Sequence, residues 1–154
     1  MKRFALGCAI ALQIAWLAIS ASAQPGTAAN IPPAQLIQPS DFVKQLQASG
    51  KKPLILQVGS HMLFTQAHIP GSEYVGAPST PEGLQKLKAR VKALKKSEAI
   101  VLYCGCCPWQ HCPNIAPAYS ELRREGFGNV KVLYLANNFG ADWAYKGYPT
   151  AKGD

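Results

Sequence analysis

Cys104, Cys106, Cys107 and Cys112 fall within nine residues of one another in IVLYCGCCPWQHCPN, residues 100–114. Thiolates act as nucleophiles, carry sulfur, exchange disulfides and bind soft metals, so their neighbours must decide among these roles. Cys104 and Cys107 have C-x-x-C spacing, which lowers thiol pKa values and suits reversible disulfides but also serves metals. In one reading Cys104 attacks a sulfur donor and carries a persulfide that Cys107 or Cys106 resolves, with Gly105, Trp109 and His111 contacting the substrate. In a second, Cys104, Cys106, Cys107, His111 and Cys112 hold Cu(I) or Zn. The donor types suit those metals. Their spacing suits them less, since separated ligand pairs are lacking and adjacent cysteines do not both turn easily into one tetrahedral site. In a third, the cysteines pair as local disulfides in a loop that binds a partner. Any such pair closes only a very short loop, where a cross-link stabilises least.

The compartment follows from the N-terminus. Lys2 and Arg3 precede an uncharged apolar stretch over 4–19, and Ala21-Ser22-Ala23 then supplies small residues before Gln24. This reads as a secretory signal peptide over 1–23, taking Cys8 with it, and an uncleaved membrane anchor is the alternative. The chain is expected to be exported, to the periplasm in a Gram-negative bacterium and otherwise secreted, into an oxidising compartment where disulfides persist. The remaining 131 residues suffice for one domain. Its charge is +6, from 14 Lys and Arg against 8 acids. That modest excess comes without a nucleic-acid motif, and no nucleic-acid partner is expected.

The elements that must position the thiols come next. Residues 24–33 (QPGTAANIPP) read as an extended linker, and the domain is expected over 34–152. Ser40 is placed to cap a short helix containing Phe42, Val43 and Leu46 and ending at Gly50. Residues 54–58 read as a buried strand and 73–75 as a shorter one. From Pro81, Leu84, Leu87, Val91 and Leu94 recur at helical spacing. Lys86, Lys88, Arg90, Lys92, Lys95 and Lys96 are assigned to the wet face of the same helix. A strand over 99–103, a helix over 114–125 closed by Gly126, and a strand over 130–135 complete the alternation. Alternating strands and helices imply a parallel sheet covered on both faces, with active residues at the carboxyl ends of strands. Cys104 occupies such an end. The helix starting at Asn114 would aim N–H groups at its sulfur and favour the thiolate.

Three segments then resemble the rhodanese-like family: His68-Ile69-Pro70-Gly71-Ser72, the strand Val101-Leu102-Tyr103 leading into Cys104, and the closing stretch. The last comprises Gly126-Phe127, Asn129-Val130, Val132-Leu133, Trp143 and Gly147-Tyr148-Pro149. The resemblance covers nearly all of 34–149. It implies an α/β fold, a five-stranded parallel sheet flanked by helices on both faces, and a sulfurtransferase that moves sulfane sulfur through a persulfide on Cys104. Two departures stand out. Gln57-Val58-Gly59 replaces the family's Asp-Val-Arg, and the lengthened cysteine loop has no arginine before Arg123, which argues against thiosulfate:cyanide chemistry. The expected partner is a small sulfur-containing donor or a protein thiol, met by a monomer without a cofactor and without a membrane contact beyond any uncleaved signal.

The remaining candidates have plainer readings. His68 is expected to hydrogen-bond within its turn, and His61 to be exposed. Trp143 and Tyr148 are expected to pack the C-terminal segment. Trp109, in a Pro-flanked loop, is expected either to cover the cysteines or to face a partner.

Overall fold

Strands buried on both faces read as unbroken apolar runs, as residues 100–103 (IVLY) do here. The computed structural model describes residues 30–153; the expected signal peptide and most of the linker lie outside them. Five strands, β1 (Leu36–Ile37), β2 (Leu54–Gln57), β3 (Ser72–Tyr74), β4 (Ile100–Tyr103) and β5 (Val130–Leu133), form one parallel sheet ordered β1-β5-β4-β2-β3. Leu54 aligns with Ile100, Ile100 with Val130, and Gln57 with Tyr103.

Side chains alternate between the faces of a strand, and that alternation sorts the core. Leu56, Val58, Leu102, Cys104 and Val132 pack against Leu87 and Val91 of α3 (Pro81–Val91) and Ile115, Ala118 and Leu122 of α4 (Ile115–Arg124). Ile55, Val101, Tyr103 and Leu133 meet Phe42 and Val43 of α1 (Pro39–Gln47) and Phe139 of α5 (Phe139–Asp142), with Trp143 just beyond. Cys104, one residue past β4, therefore faces α4, whereas Tyr103 faces α5. A further short helix, α2 (His61–Gln66), follows β2 and is capped by the Ser60 hydroxyl, which accepts from Leu63 N.

Several expectations need correction. Ile31 is buried in the core, so the linker expected through Pro33 ends before it. α1 begins at Pro39 with Gln38 as its cap, not at Ser40, because the fixed φ of proline suits the first helical position. The strands are shorter at their ends than the apolar runs suggested, and Leu135 is buried without being in β5. α3 ends at Val91, so Lys92, Lys95 and Lys96 lie beyond it. The expected wet face is also partly paired. Arg90 makes a bidentate ion pair with Glu73, Lys88 lies 3.5 Å from Glu121 on α4, and Lys96 sits over the Phe127 ring. Gly126, at φ +90°, closes α4 as expected.

Candidate functional site

Four sulfurs meet where β4 ends. Cys104 Sγ lies 3.3 Å from Cys106 Sγ, which lies 3.1 Å from Cys107 Sγ. Cys104, Cys107 and Cys112 have their sulfurs within 4.8 Å of one another. All four are free thiols. They differ in access: Cys106 is exposed, Cys107 half-buried, and Cys104 and Cys112 buried. The adjacent pair divides as anticipated, one sulfur turning out and the other partly in. His111 is exposed and stands outside the three-sulfur group.

The N-terminus of α4 serves a different sulfur from the one expected. Backbone N–H groups of Asn114 and Ile115 donate to Cys112, not to Cys104. Together with a hydrogen bond from Cys104, they lower the Cys112 thiol to about 7 against the opposing effect of burial. Cys106 is lowered to about 6, chiefly by a hydrogen bond from Cys104 and also by one from Cys107. Cys104, hydrogen-bonded with Cys106 and Cys112 and buried besides, is pushed well above the ordinary thiol range. Cys107 is pushed up to about 12, mainly by burial. The two thiolates are thus an exposed one and a helix-capped one, with Cys104 between them as the donor.

Gly59 lets the backbone pass close to Cys104. A Cβ at this position would stand 3.2 Å from Cys104 Sγ, 3.7 Å from Gln57 Nε2 and 3.8 Å from Asn114 Nδ2. Asn114 is oriented by its Oδ1, which accepts from Ser79 N at 3.2 Å and Ser79 Oγ at 2.7 Å, leaving Nδ2 on the sulfur side. Gln57 is buried, and its Oε1 lacks a hydrogen-bond partner among the described residues. Gly59, at φ +146°, thus lets Cys104 Sγ and the two side-chain amides approach the backbone closely, and Asn114 Nδ2 faces Cys104 Sγ at 3.9 Å. The sequence singled out Gln57 and Gly59 as departures from the family; it gave no sign that Asn114 would join them.

On the other side of the loop, Cys106 and Gly105 line a cavity of about 380 Å³ with Gln57, Leu63, Tyr103, Phe139 and Tyr145. Gly105 allows the approach of Phe139, whose Cβ would be 2.8 Å from an added Cβ. Burial pushes Tyr103 up to about 12, and its hydroxyl accepts from Ile69 N and bonds with Ser72 Oγ. Trp109 takes no part in this cavity. It is buried, edge-on to Tyr134 at 5.1 Å, and its backbone N–H donates to Ala136, so it anchors the loop to the core and is no lid. His68 has the structural place expected of it, its Nδ1 2.9 Å from Phe64 O and its ring stacked on Phe64. His61 is exposed, as expected. Trp143 is fully buried against Phe139 and Tyr148.

The model of the family described as "Rhodanese-like domain" matches residues 39–136. No curated protein matches the sequence. Among solved structures, the rhodanese-like domain of the Alr3790 protein from Anabaena sp. superposes with a TM-score of 0.58 at 23% identity, over 77% of this chain and 79% of that one. The BH2092 protein from Bacillus halodurans gives 0.58 at 17% identity, over 75% of each chain. EanB, solved as a cysteine persulfide with ergothioneine, gives 0.56 at 22% identity, over 75% of this chain and 27% of that one. At these identities the likeness is one of fold.

Proposed function

The chain belongs to the rhodanese-like domain family, and on that premise we propose that it is a sulfurtransferase or persulfide carrier in which sulfur passes between an exposed and a buried cysteine. The observation that carries this reading is the grouping of Cys104 Sγ with Cys106 Sγ at 3.3 Å and with the side-chain amides of Gln57 and Asn114 beside Gly59. A persulfide on Cys104 projects one sulfur beyond Sγ, and two N–H donors at that spot stabilise its charge as an arginine would elsewhere in the family. The persulfide in EanB is formed on a cysteine of a protein that shares this fold.

The steps balance without an added oxidant. The Cys106 thiolate attacks the outer sulfur of a donor R–S–SH; the donor S–S bond breaks, R–S⁻ leaves, and Cys106–S–SH forms. Cys104, whose Sγ lies 3.3 Å from that of Cys106, then gives its proton to Cys112 and attacks the same outer sulfur. The bond to Cys106 breaks, restoring its thiolate, and the sulfur comes to rest on Cys104. Cys107, 3.1 Å from Cys106, is the resolving thiol: its attack on a loaded Cys106 Sγ would form a disulfide and release sulfide.

The test is intact mass after exposure to a polysulfide, followed by a brief wash with a small thiol. Wild type is expected to retain one added sulfur, and Cys104→Ser to lose it in the wash. Equal retention by the variant would overturn the assignment to Cys104, and no uptake by wild type would overturn the carrier itself.

The mutual proximity of Cys104, Cys107 and Cys112 favours a second reading, a soft-metal site. Three thiolates suit trigonal Cu(I), whereas a structural Zn site requires a fourth ligand and His111 lies outside the group. Native mass after addition of Cu(I) separates the readings: a retained ion that Cys107→Ser releases favours the metal.

A further inference from the structure

The cavity at Cys106 has a lining unlike what an inorganic sulfur anion requires. Among the described residues no lysine, arginine, histidine or carboxylate lines it; its polar lining residues are Gln57, Gln66, Asn138, the two tyrosines and Cys106, and its walls are Leu63, Phe139 and Tyr145. Anionic donors are normally met by guanidinium or ammonium groups. At about 380 Å³ the cavity lies within the range that holds a small organic molecule. Its mouth is apolar as well. Among the described residues the exposed large hydrophobic side chains are Met62 (67%), Leu63 (37%) and Tyr145 (89%); two of these line the cavity and Met62 adjoins Leu63 on α2. Exposed apolar groups gathered at one concave site mark a place where a ligand completes the burial.

We infer that the molecule exchanging sulfur with Cys106 is a small organosulfur compound, a persulfide as donor or a thiol as acceptor, whose body is uncharged and apolar and seats between Leu63, Phe139 and Tyr145. This rests on the proposed thiol chemistry and adds the substrate class to it. In the delivery direction, the thiolate R–S⁻ attacks the outer sulfur of Cys106–S–SH. The bond to Cys106 breaks, R–S–SH leaves with the proton, and the Cys106 thiolate returns. The sulfur is the only charged part of such a ligand, and it lies at the one cavity residue built to react with it.

Methanethiosulfonate reagents test the pocket without depending on sulfur transfer. Cys106 displaces methanesulfinate from R–S–SO₂CH₃ and forms a mixed disulfide with R–S, located by peptide mapping. Rates are compared for a neutral benzyl, an anionic sulfonatoethyl and a cationic trimethylammonioethyl reagent, each normalised to its reaction with a free cysteine peptide. The benzyl reagent is expected to be favoured at Cys106 by about tenfold, the order that burying part of a phenyl group supplies. Tyr145→Ala, an exposed position whose loss leaves the core intact, should lower that preference while leaving the rates of the charged reagents unchanged. Gln66→Trp, at an exposed residue of the cavity wall, should lower it by filling the space. Equal normalised rates, or a preference for the anionic reagent, would overturn the inference even if the protein carries sulfur. A benzyl preference in a protein that takes up no sulfur would keep the pocket and discard the carrier.

Discussion

Reactivity at the cysteine loop is set by which sulfur receives hydrogen bonds and which one gives them. Cys106, accepting from Cys104 and Cys107, is lowered to about 6 while remaining exposed. Alkylation of Cys106 by a neutral reagent is therefore expected to stay near its maximum at neutral pH and to fall as the pH drops below about 6. In Cys104→Ala, which removes the principal donor, the midpoint should move up toward the ordinary thiol value; quantitative labelling across pH reads both. The place of Cys104 at the end of β4 was legible because a strand end is visible in sequence; that its thiol is pushed up while Cys106 and Cys112 are lowered was not. The roles of its neighbours were not, because they depend on where a turn points three side chains. Trp109 shows the same limit. A Pro-flanked loop suggested exposure, yet the backbone bond to Ala136 and the edge contact with Tyr134 fold the indole inward.

Elements position these residues, and the pair α3 and α4 forms the wall behind the cysteines. Glu121 joins the two helices: it is bidentate with Arg124 and 3.5 Å from Lys88, and the Arg124 hydrogen bonds hold its carboxyl below the ordinary value of 4.5. A carboxylate with a depressed folded pKa adds stability above its unfolded pKa and loses it as the pH falls through the folded value. Glu121→Gln should therefore lower the urea midpoint at neutral pH, and its difference from wild type should shrink as the pH falls through the depressed folded value of Glu121. The long elements were visible as periodicity: Leu87 and Val91 mark α3, and Gly126 marks the end of α4. β1, α2 and α5 were missed, having two, six and four residues, too few for a period to emerge. Two of these, α2 and α5, bring Leu63 and Phe139 to the cavity, which is why the cavity was invisible in sequence although the cysteines were plain.

Across the whole molecule, the C-terminal segment secures the second face of the sheet. Trp143 is fully buried, packs near Phe42, Phe139 and Tyr148, and donates its indole N–H to Pro149 O at 2.8 Å. Trp143→Ala should cost about 3–5 kcal/mol, measured by chemical denaturation, because the neighbouring rings cannot collapse into so large a space. The α/β class was readable from the alternation of strands and helices, and the five-strand parallel sheet from the resemblance of the motifs to the family. The strand order was not, since it depends on pairings between residues far apart in sequence, such as Leu36 with Val132. The edges of that sheet have a consequence of their own. β1 contributes two residues and β3 three, so each border offers very few free backbone groups to a neighbouring chain. Truncated borders are a defence against runaway strand addition and the fibres that grow from it. Among the described residues, the sheet's borders give a growing strand little to extend.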